Sequence, residues 1–444
     1  MKDIPKNKFK QYLYGHSVSN IFMDREGGYW MTTLNNGIYY TPRLDFQIYD
    51  DRSGLEDVFI KSLAIKNENE IFFGSINGEL CWMNIVENKK IKLPSQPADM
   101  AIWDLLYDPK ENMLWKGTRT LNRISLTDSI FQNSQWEEIY QKDSIKDNKV
   151  FFGNKRFVFS QNKKELLACN EFGFVRMDAK SKDIFEFSIN NEKILPARTL
   201  IQFEDLENRV WIGNVNGLFE YKNKKLQPAV PHHPAFNLRV EDISQLKDST
   251  LVIGTKGNGV VFWKGNEHKV LDESQGLTSN MIENIHIDNK EQIWVGTLLG
   301  LNKVKILKTP VDSTFFSIEH ITSAHGLPSN EINRVRTIGN QVWVATSKGL
   351  VNFSNKTKNP KSLTPILERI QVNNEFVEER ENLQLNHRRN NLVLKFLSFN
   401  YSLGGKIPYR YRLKPANDDW VYTCLLYTSP SPRDRTRSRM PSSA

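Results

Sequence analysis

Short apolar runs bounded by turn residues dominate the hydrophobic pattern along the chain. In the segment 285–287 two isoleucines flank a histidine, a polar turn follows at Asp288, and the apolar run 293–296 comes next. The turn that ends at Gly300 leads into the run 301–304, and glycine supplies the positive φ that a tight hairpin needs. Alternation in short runs is typical of β-strands, whereas a helical solenoid needs apolar residues at helical spacing over about ten residues. The pattern therefore predicts an all-β chain.

One unit of this kind recurs along the chain. Its two clearest copies end in IWVGTLLGL at 293–301 and VWVATSKGL at 342–350, and each follows a Gly-Leu-Xaa-Ser-Asn segment, at 276–280 and 326–330. Weaker copies bring the total to eight, and each has a large apolar residue, its anchor, at the same place: Trp30, Phe72, Trp115, Leu167, Trp211, Val252, Trp294 and Trp343. Successive anchors are 41 to 52 residues apart. A period in this range fits a four-stranded β-propeller blade.

The number of copies leaves the number of propellers open. Eight copies fill one propeller with a copy to spare, or they belong to the end of one propeller and most of a second. The small Gly or Ala that follows the apolar centre of each clear copy suits a place where neighbouring backbones approach closely. The tryptophan anchors recur at one blade position, so we expect them to pack in the core and not to form a sugar-stacking platform.

Composition is that of a globular protein and gives little sign of a nucleic-acid partner. The chain has 444 residues, and its formal charge of +9 comes from 60 Lys and Arg scattered among 51 Asp and Glu. Scattered charges do not make the basic stripe of a nucleic-acid-binding surface. No segment approaches the roughly 20 apolar residues of a membrane span, and the first residues lack the apolar core of a signal peptide. We expect contact with a membrane only through segments outside this chain.

Cysteines and histidines show no metal-ligand spacing. Cys81, Cys169 and Cys424 lie far apart in sequence, which suggests neither a zinc site nor a disulfide framework. We expect the pair His232 and His233 in a loop. We expect the pair His320 and His325 at the surface. The sequence therefore predicts no metal site and no cofactor.

Other suggestive motifs have ordinary structural explanations. The glycine-rich segment 254–259 lacks the Gly-Lys-Ser/Thr ending of a phosphate loop, and the apolar run 260–263 after it favours a hairpin. The acidic pairs 50–51 and 418–419 are predicted to be solvated loop residues, since Asp is seldom buried. No catalytic residue is assigned and the ligand-binding residues are unknown. A ligand site is expected in the loops at one mouth of the propeller, where several blades converge.

The repeat resembles those of the two-component regulator propeller family. That pattern reads Gly-Leu-Pro-Ser-Asn, then Asp, then Ile-Trp-Ile-Gly-Thr, then Gly-Leu. The copies at 276–304 and 326–353 match it nearly in full, and the copy at 210–221 matches its second half. The resemblance covers residues 14–355. The propeller region is accordingly predicted over 1–360, with about seven to eight blades.

A different pattern follows the repeats. In the runs 365–372 and 391–401 apolar and polar residues alternate, as in strands with one face exposed to solvent. Tyr409 and Tyr411 resemble the opening of the three-tyrosine domain of the same family, which implies the start of an immunoglobulin-like β-sandwich over 361–423. The tail 424–444 is rich in Ser, Pro and Arg and resembles translated sequencing-adapter read-through, so it is left out of the functional argument.

The resemblance implies an extracytoplasmic, periplasmic sensor. Such a region binds a small molecule or oligosaccharide, for example a breakdown product of a polysaccharide. It relays the signal to a histidine kinase or a DNA-binding module, which is missing from this chain, and the family suggests a homodimer formed through the sandwich. Since little chain precedes Trp30, we expect an internal fragment of a longer protein, without catalytic activity of its own. Two alternatives stay open: a propeller enzyme acting on polysaccharide, and a protein-interaction scaffold.

Overall fold

The structure, a computed structural model, divides into two compact units, Leu44–Lys356 and Met1–Arg43 with Thr357–Ala444. The residues that it describes are 13, 15–24, 27–41, 43–87, 89–93, 101–126, 136–142, 149–151, 154–160, 164–170, 173–181, 184–189, 198–223, 225–230, 233–308, 314–355, 365–377, 391–397, 409–412 and 421–423. Within these ranges the helical segments are single 3₁₀ turns at Asp51–Ser53, Pro234–Phe236, Glu273–Gln275 and Ser323–His325.

The first repeat copy forms a separate three-stranded sheet. Its strands, in the order of pairing, are β1 (Val18–Met23), β2 (Tyr29–Thr33) and β3 (Ile38–Thr41). All three belong to the unit that lies outside Leu44–Lys356. The anchor Trp30 of this copy is half-buried.

Seven antiparallel sheets form the unit Leu44–Lys356. One short strand, β4 (Gln47–Tyr49), precedes them. The first three blades contain β5 (Ile60–Ile65), β6 (Glu70–Ser75), β7 (Leu80–Asn84) and β8 (Lys89–Lys92); β9 (Asp104–Asp108), β10 (Met113–Gly117), β11 (Leu121–Ser125), β12 (Glu137–Lys142) and β13 (Lys149–Phe151); and β14 (Asn154–Phe159), β15 (Glu165–Asn170), β16 (Gly173–Asp178) and β17 (Ile184–Ile189).

The remaining four blades repeat the same meander. Their strands are β18 (Thr199–Glu204), β19 (Val210–Asn214), β20 (Gly217–Lys222) and β21 (Lys225–Pro228); β22 (Val240–Gln245), β23 (Leu251–Thr255), β24 (Val260–Lys264) and β25 (Glu267–Leu271); β26 (Ile282–Ile287), β27 (Ile293–Thr297), β28 (Gly300–Lys308) and β29 (Thr314–Ile321); and β30 (Ile332–Ile338), β31 (Gln341–Thr346) and β32 (Gly349–Ser354).

The first strands of the blades close into a ring. Each contacts the first strand of the next blade, from β5 through β9, β14, β18, β22, β26 and β30, and β30 contacts β5 again. The seventh blade takes its fourth strand from the other end of the unit, because β4 pairs with β32 and places Ile48 opposite Val351. The unit is therefore a seven-bladed propeller: seven copies share one ring, and the first copy belongs to the other unit.

The anchors lie between the blades, as predicted. The seven anchors of the ring sit on the second strand of each blade and are at most 2% exposed. The small residue beyond the anchor also has the predicted role, since a Cβ on Gly213, Gly254 or Gly296 would lie within 2.8 Å of a Val or Ile side chain. These side chains, Val240, Ile282 and Ile332, begin the first strand of the next blade. Close approach of blades thus explains the Gly of the repeat.

Two small sheets follow the propeller in sequence. One has the order β34-β33-β35, from β33 (Ile366–Val372), β34 (Glu375–Val377) and β35 (Leu392–Leu397). The other pairs β36 (Tyr409–Tyr411) with β37 (Val421–Thr423) and places Arg410 opposite Tyr422. The assignment of 361–423 to a sandwich stays a prediction. The compact unit that contains the ring is Leu44–Lys356, and the predicted extent 1–360 of the propeller region likewise stays a prediction.

Candidate functional site

Seven equivalent residues on the first strands surround the axis of the propeller. Each pairs with the small residue of the second strand, and together they form what we call the inner ring: Ser62, Asp104, Arg156, Ile201, Asp242, Asn284 and Arg334. Six of the seven are polar and four carry charge. Strands between packed blades are ordinarily apolar, so this position is an exception that needs a chemical explanation.

Arg156 and Asp242 form a buried ion pair that spans the blade between them. Arg156 Nη1 lies 2.7 Å from Asp242 Oδ2, and both side chains are about one-tenth exposed or less. Arg156 Nη2 also donates to the carbonyl oxygen of Glu283 at 2.6 Å. Asp242 Oδ2 accepts hydrogen bonds from Asn284 Nδ2 at 2.6 Å and from the Ile285 N–H at 2.9 Å. These bonds compensate much of the cost of burying the carboxylate.

Arg334 and Asp104 make the second ion pair of the inner ring. Arg334 Nη2 lies 2.6 Å from Asp104 Oδ1, and the other oxygen of Asp104 accepts the Phe157 N–H at 3.1 Å. Both side chains are 4% exposed. Arg334 Nε is buried and has no hydrogen-bond partner among the described residues.

A second ring lies two residues further along the same strands. Because side chains alternate along a strand, these residues face the same way as the inner ring. Each pairs with an anchor, and the members of this second ring are Ala64, Leu106, Val158, Phe203, Ser244, His286 and Arg336. The first four are apolar and adjacent in blade order, whereas the last three are polar. The second ring thus has an apolar side and a polar side.

His286 is held as the neutral imidazole. Its Nε2 accepts the Thr337 N–H at 3.1 Å and lies 2.8 Å from Thr337 Oγ1. Burial, helped by the positive charge of Arg336, lowers the pKa of His286 to about 3. Its neighbour Arg336 donates from Nη1 to the carbonyl oxygen of Val335 at 2.9 Å. No carboxylate in the described part of the chain lies within ion-pair distance of Arg336.

Members of both rings line a cavity of about 190 Å³ on the axis of the propeller. Residues from six of the seven blades contribute to its wall. The ionisable groups in the wall, apart from His286, are three arginines (Arg156, Arg334 and Arg336) and two aspartates (Asp104 and Asp242). With all five ionised the wall carries one excess positive charge. A polar, positively charged cavity lined partly by Ile201, Phe203 and Val158 suits a small ligand with one apolar face.

The three arginines differ in how well their charges are compensated. Burial alone would lower the pKa of Arg156, but Asp242, Glu241 and Asp104 raise it above the ordinary value. For Arg334, burial outweighs Asp104 and lowers the pKa to about 10. Burial likewise lowers the pKa of Arg336. For Asp242 burial would raise the pKa, yet Arg156 and Arg334 bring it below its usual value. The uncompensated positive charge therefore lies on the side of Arg334 and Arg336.

Three of the four histidines singled out in the sequence are described, and each makes structural contacts, but one prediction about them is wrong. His325 is 8% exposed and not at the surface, because its Nδ1 accepts the Thr322 N–H at 3.0 Å and closes the 3₁₀ turn. His320 is half-buried, with Nε2 2.6 Å from the carbonyl oxygen of Gly276. His233 lies in a loop beside His268, with ring centroids 4.3 Å apart. Its neighbour His232 lies outside the described residues.

The remaining sequence candidates that the structure describes form no metal site or catalytic group. The described residues contain no group of three His, Cys, Asp or Glu that could hold a metal ion. Cys81 and Cys169 are buried free thiols, and burial raises the pKa of Cys81 to about 12. Residues 254–259 form the turn between β23 and β24, as predicted. Cys424 and the acidic pair 418–419 lie outside the described residues.

Of the two aspartates at 50–51, both of which were predicted to be solvated, only one is. Asp51 is exposed, but Asp50 is 8% exposed and not solvated. The side chain of Asp50 accepts the Arg52 N–H at 3.1 Å and pairs with the Arg52 guanidinium, so it caps the 3₁₀ turn that follows. This capping role explains why the carboxylate is buried.

Sequence reasoning missed the two rings. The ligand site expected in the loops stays a prediction, and the cavity between the first strands was not predicted. A signal was present, because charged residues stand nine to eleven positions before four anchors, for example Arg334 before Trp343 and Asp242 before Val252. A strand packed on both faces is normally apolar there.

Comparisons with known proteins identify what the chain is similar to. No family model matches it. It is 24% identical over 195 residues to histidine kinase P4 of Formosa agariphila. The matched region covers 40% of this chain and 13% of that protein. The extracellular domain of the putative hybrid two-component system BT3049 from B. thetaiotaomicron matches with a TM-score of 0.62 at 18% identity, over 92% of this chain and 56% of that chain.

Two further solved structures have a similar fold. The extracellular domain of the putative one-component system BT4673 from B. thetaiotaomicron has a TM-score of 0.53 at 18% identity and covers 93% of this chain and 58% of that chain. Virginiamycin B lyase from Staphylococcus aureus has a TM-score of 0.52 at 12% identity and covers 70% of this chain and 99% of that chain. The chain thus spans little more than half of the two extracellular domains. The predicted all-β propeller fold is confirmed, and the structures that share it include extracellular domains of putative two-component and one-component systems.

Proposed function

We propose that this chain is the extracytoplasmic sensing region of a two-component regulator and that the axial cavity of its propeller binds a small ligand. The observation that carries the proposal is the fold match to the BT3049 extracellular domain over 92% of this chain. The weaker sequence match to a histidine kinase supports the same assignment. Among the described residues no helix is long and apolar enough to cross a membrane.

The position of the cavity supports a sensing role. Its wall takes side chains from six blades, including Asp104, Arg156, Asp242 and Arg334, which are joined in pairs across intervening blades. A ligand at this place would contact blades that are distant in sequence and would bias their arrangement by its difference in affinity for two states. The proposed output is a histidine kinase or a DNA-binding module outside this chain, reached through the C-terminal sandwich of a homodimer. A glycan breakdown product is the proposed ligand class.

The test begins with the genomic sequence on both sides of this chain. We expect a membrane span followed by a kinase core or a DNA-binding module, and a reading frame that stops soon after Thr423 would contradict the proposal. The complete protein is then expressed with a reporter gene under its target promoter. A ligand that raises the melting temperature of the purified chain should also switch the reporter. If no stabilising ligand changes the expression of the reporter, the sensing proposal is contradicted.

The enzyme alternative has one observation in its favour, the fold match to virginiamycin B lyase. That match concerns the fold alone. The two carboxylates of the cavity wall, Asp104 and Asp242, are each engaged by an arginine and by backbone N–H groups, which favours a structural role over acid–base chemistry. Incubating the purified chain with oligosaccharides tests this directly, and measurable cleavage would replace the sensor proposal.

A further inference from the structure

The uncompensated positive charge of the cavity is confined to one strand. Arg334 and Arg336 are two residues apart on β30, and both line the cavity. Arg334 is 3% exposed, and its Nε has no partner within the described residues although its Nη2 binds Asp104. The hydrogen bond of Arg336 goes to the carbonyl oxygen of the adjacent Val335 and not to a carboxylate. Buried cations without full compensation are costly, so this pair favours a site that receives a negative charge.

The neighbouring side chains define what else such a ligand would meet. Ser244 and His286, on the polar side of the second ring, offer neutral hydrogen-bonding groups. Val158 and Phe203, on the opposite side, offer an apolar wall. A cavity of about 190 Å³ has room for a molecule no larger than about one sugar ring. Arginine binds planar oxyanions through paired N–H donors, which gives both strength and orientation.

We propose that a small oxyanion, the carboxylate or sulfate group of the ligand, binds in this cavity against Arg334 and Arg336. The inference rests on the proposed function, since it names the chemistry of the ligand at the same site. The anion would supply the negative charge that the cavity wall lacks and would accept hydrogen bonds from the two guanidinium groups. A neutral ligand of the same size would leave the excess charge uncompensated.

Calorimetry on the purified chain tests the inference with three probes: sodium sulfate, sodium glucuronate and glucose. Sodium chloride keeps the ionic strength constant, because general screening would otherwise imitate binding. We expect sulfate or glucuronate to bind and glucose, the neutral counterpart of glucuronate, not to bind. Binding of sulfate alone or glucuronate alone identifies which oxyanion fits. Absence of binding by both anions overturns the inference.

Variants separate the site from the general charge of the protein. Arg336→Gln should weaken anion binding at least roughly tenfold, since it removes a charge-assisted contact, and Arg336→Lys should restore part of it. The control is Arg52→Gln, because the Arg52 side chain is 67% exposed and lies outside the cavity. It should bind as the unmodified chain does. Melting curves establish that each variant is folded, and unchanged binding in Arg336→Gln overturns the inference.

The reporter assay keeps the two proposals apart. If a neutral ligand switches the reporter equally well with Arg336 and with Arg336→Gln, the oxyanion inference fails while sensing stands. If the anion binds at Arg336 but never switches the reporter, the inference stands and the sensing function fails.

Discussion

At the residue scale, an aspartate six residues before an anchor tryptophan gives its indole N–H a hydrogen-bond partner. In the fourth blade Phe203 pairs with Trp211, and the indole Nε1 donates to Asp205 Oδ2 at 2.9 Å. The same bond joins Asp288 to Trp294 at 3.3 Å. In each case the aspartate stands six residues before the tryptophan. This spacing is therefore a sequence signal for the bond.

Two other tryptophan anchors, Trp115 and Trp343, have no aspartate six residues before them and lack the bond. Leu106 pairs with Trp115, one residue more than in the fourth blade, and Arg336 pairs with Trp343, one residue fewer. In both, the indole Nε1 is buried without a hydrogen-bond partner among the described residues. A buried donor without a partner costs about 1–3 kcal/mol. The repeat thus conserves the position of the anchor but not its polar contact.

The indole bond predicts an energetic coupling between Asp205 and Trp211. In a double-mutant cycle of Asp205→Ala and Trp211→Phe, we expect a coupling of about 1–3 kcal/mol in the free energy of unfolding, because the acceptor is a charged, buried carboxylate. Urea denaturation followed by circular dichroism measures it without relying on the fluorescence of the altered tryptophan. A coupling indistinguishable from zero would show that the bond contributes nothing.

His286 predicts a loss of stability in mild acid. Its pKa falls from 6.5 to about 3 on folding because of burial, so the unfolded chain binds the proton more readily than the folded one. The stabilisation is complete above the unfolded pKa of 6.5 and declines as the pH falls from there toward 3. Denaturation at pH 7 and pH 5 should show a smaller loss in His286→Gln, whose amide oxygen can accept the Thr337 N–H. Equal losses in both proteins would exclude His286 as the cause.

At the element scale, the contact between adjacent blades explains the glycine of the repeat. A Cβ on Gly296 would lie 2.8 Å from Ile332 Cγ2, at the start of the next blade. Ala345 occupies the equivalent position in the last blade, so the restriction depends on the neighbour that each blade presents. Packing at this seam is therefore local and testable.

Gly296→Ala is predicted to destabilise the propeller by about 1–3 kcal/mol, since it overpacks a tight seam. In an Ile332→Ala background the same substitution should cost less, because the methyl group that it would meet is gone. Thermal or urea unfolding of the four proteins of this cycle measures the difference. Equal costs in both backgrounds would locate the strain elsewhere.

The strands inside a repeat could be predicted from the sequence, whereas the closing strand could not. Strands such as Ile293–Thr297 are recognisable as short apolar runs bounded by turn residues. The strand β4 is three residues long and pairs Ile48 with Val351, about 300 residues away. Nothing local to β4 indicates that partner. The candidate site could not be predicted either, because Arg334 and Asp104 are far apart in sequence and come into contact only when the ring closes.

At the scale of the whole molecule, closure of the ring depends on a few residues at the start of the propeller unit. Besides the pairing of β4 with β32, Phe46 packs edge-on against Phe353 with ring centroids 5.0 Å apart. Asp45 Oδ2 accepts the Ser354 N–H at 3.0 Å. Without this segment, β32 would present an unpaired edge, which is prone to pair with other chains. The two ends of the propeller therefore hold each other by packing and hydrogen bonds.

Two shortened chains test this closure. Residues 44–356 keep β4 and are expected to unfold in one cooperative transition, because they make up a complete compact unit. Residues 54–356 lack β4 and should melt at lower temperature and aggregate more readily, since Phe353 loses its partner and β32 becomes an edge. Circular dichroism melting and light scattering measure both effects. If the two shortened chains melt alike, the ring is held by its inner strands alone. Anion binding at Arg336 would then survive the loss of β4, whereas a ring that needs β4 should lose binding together with stability.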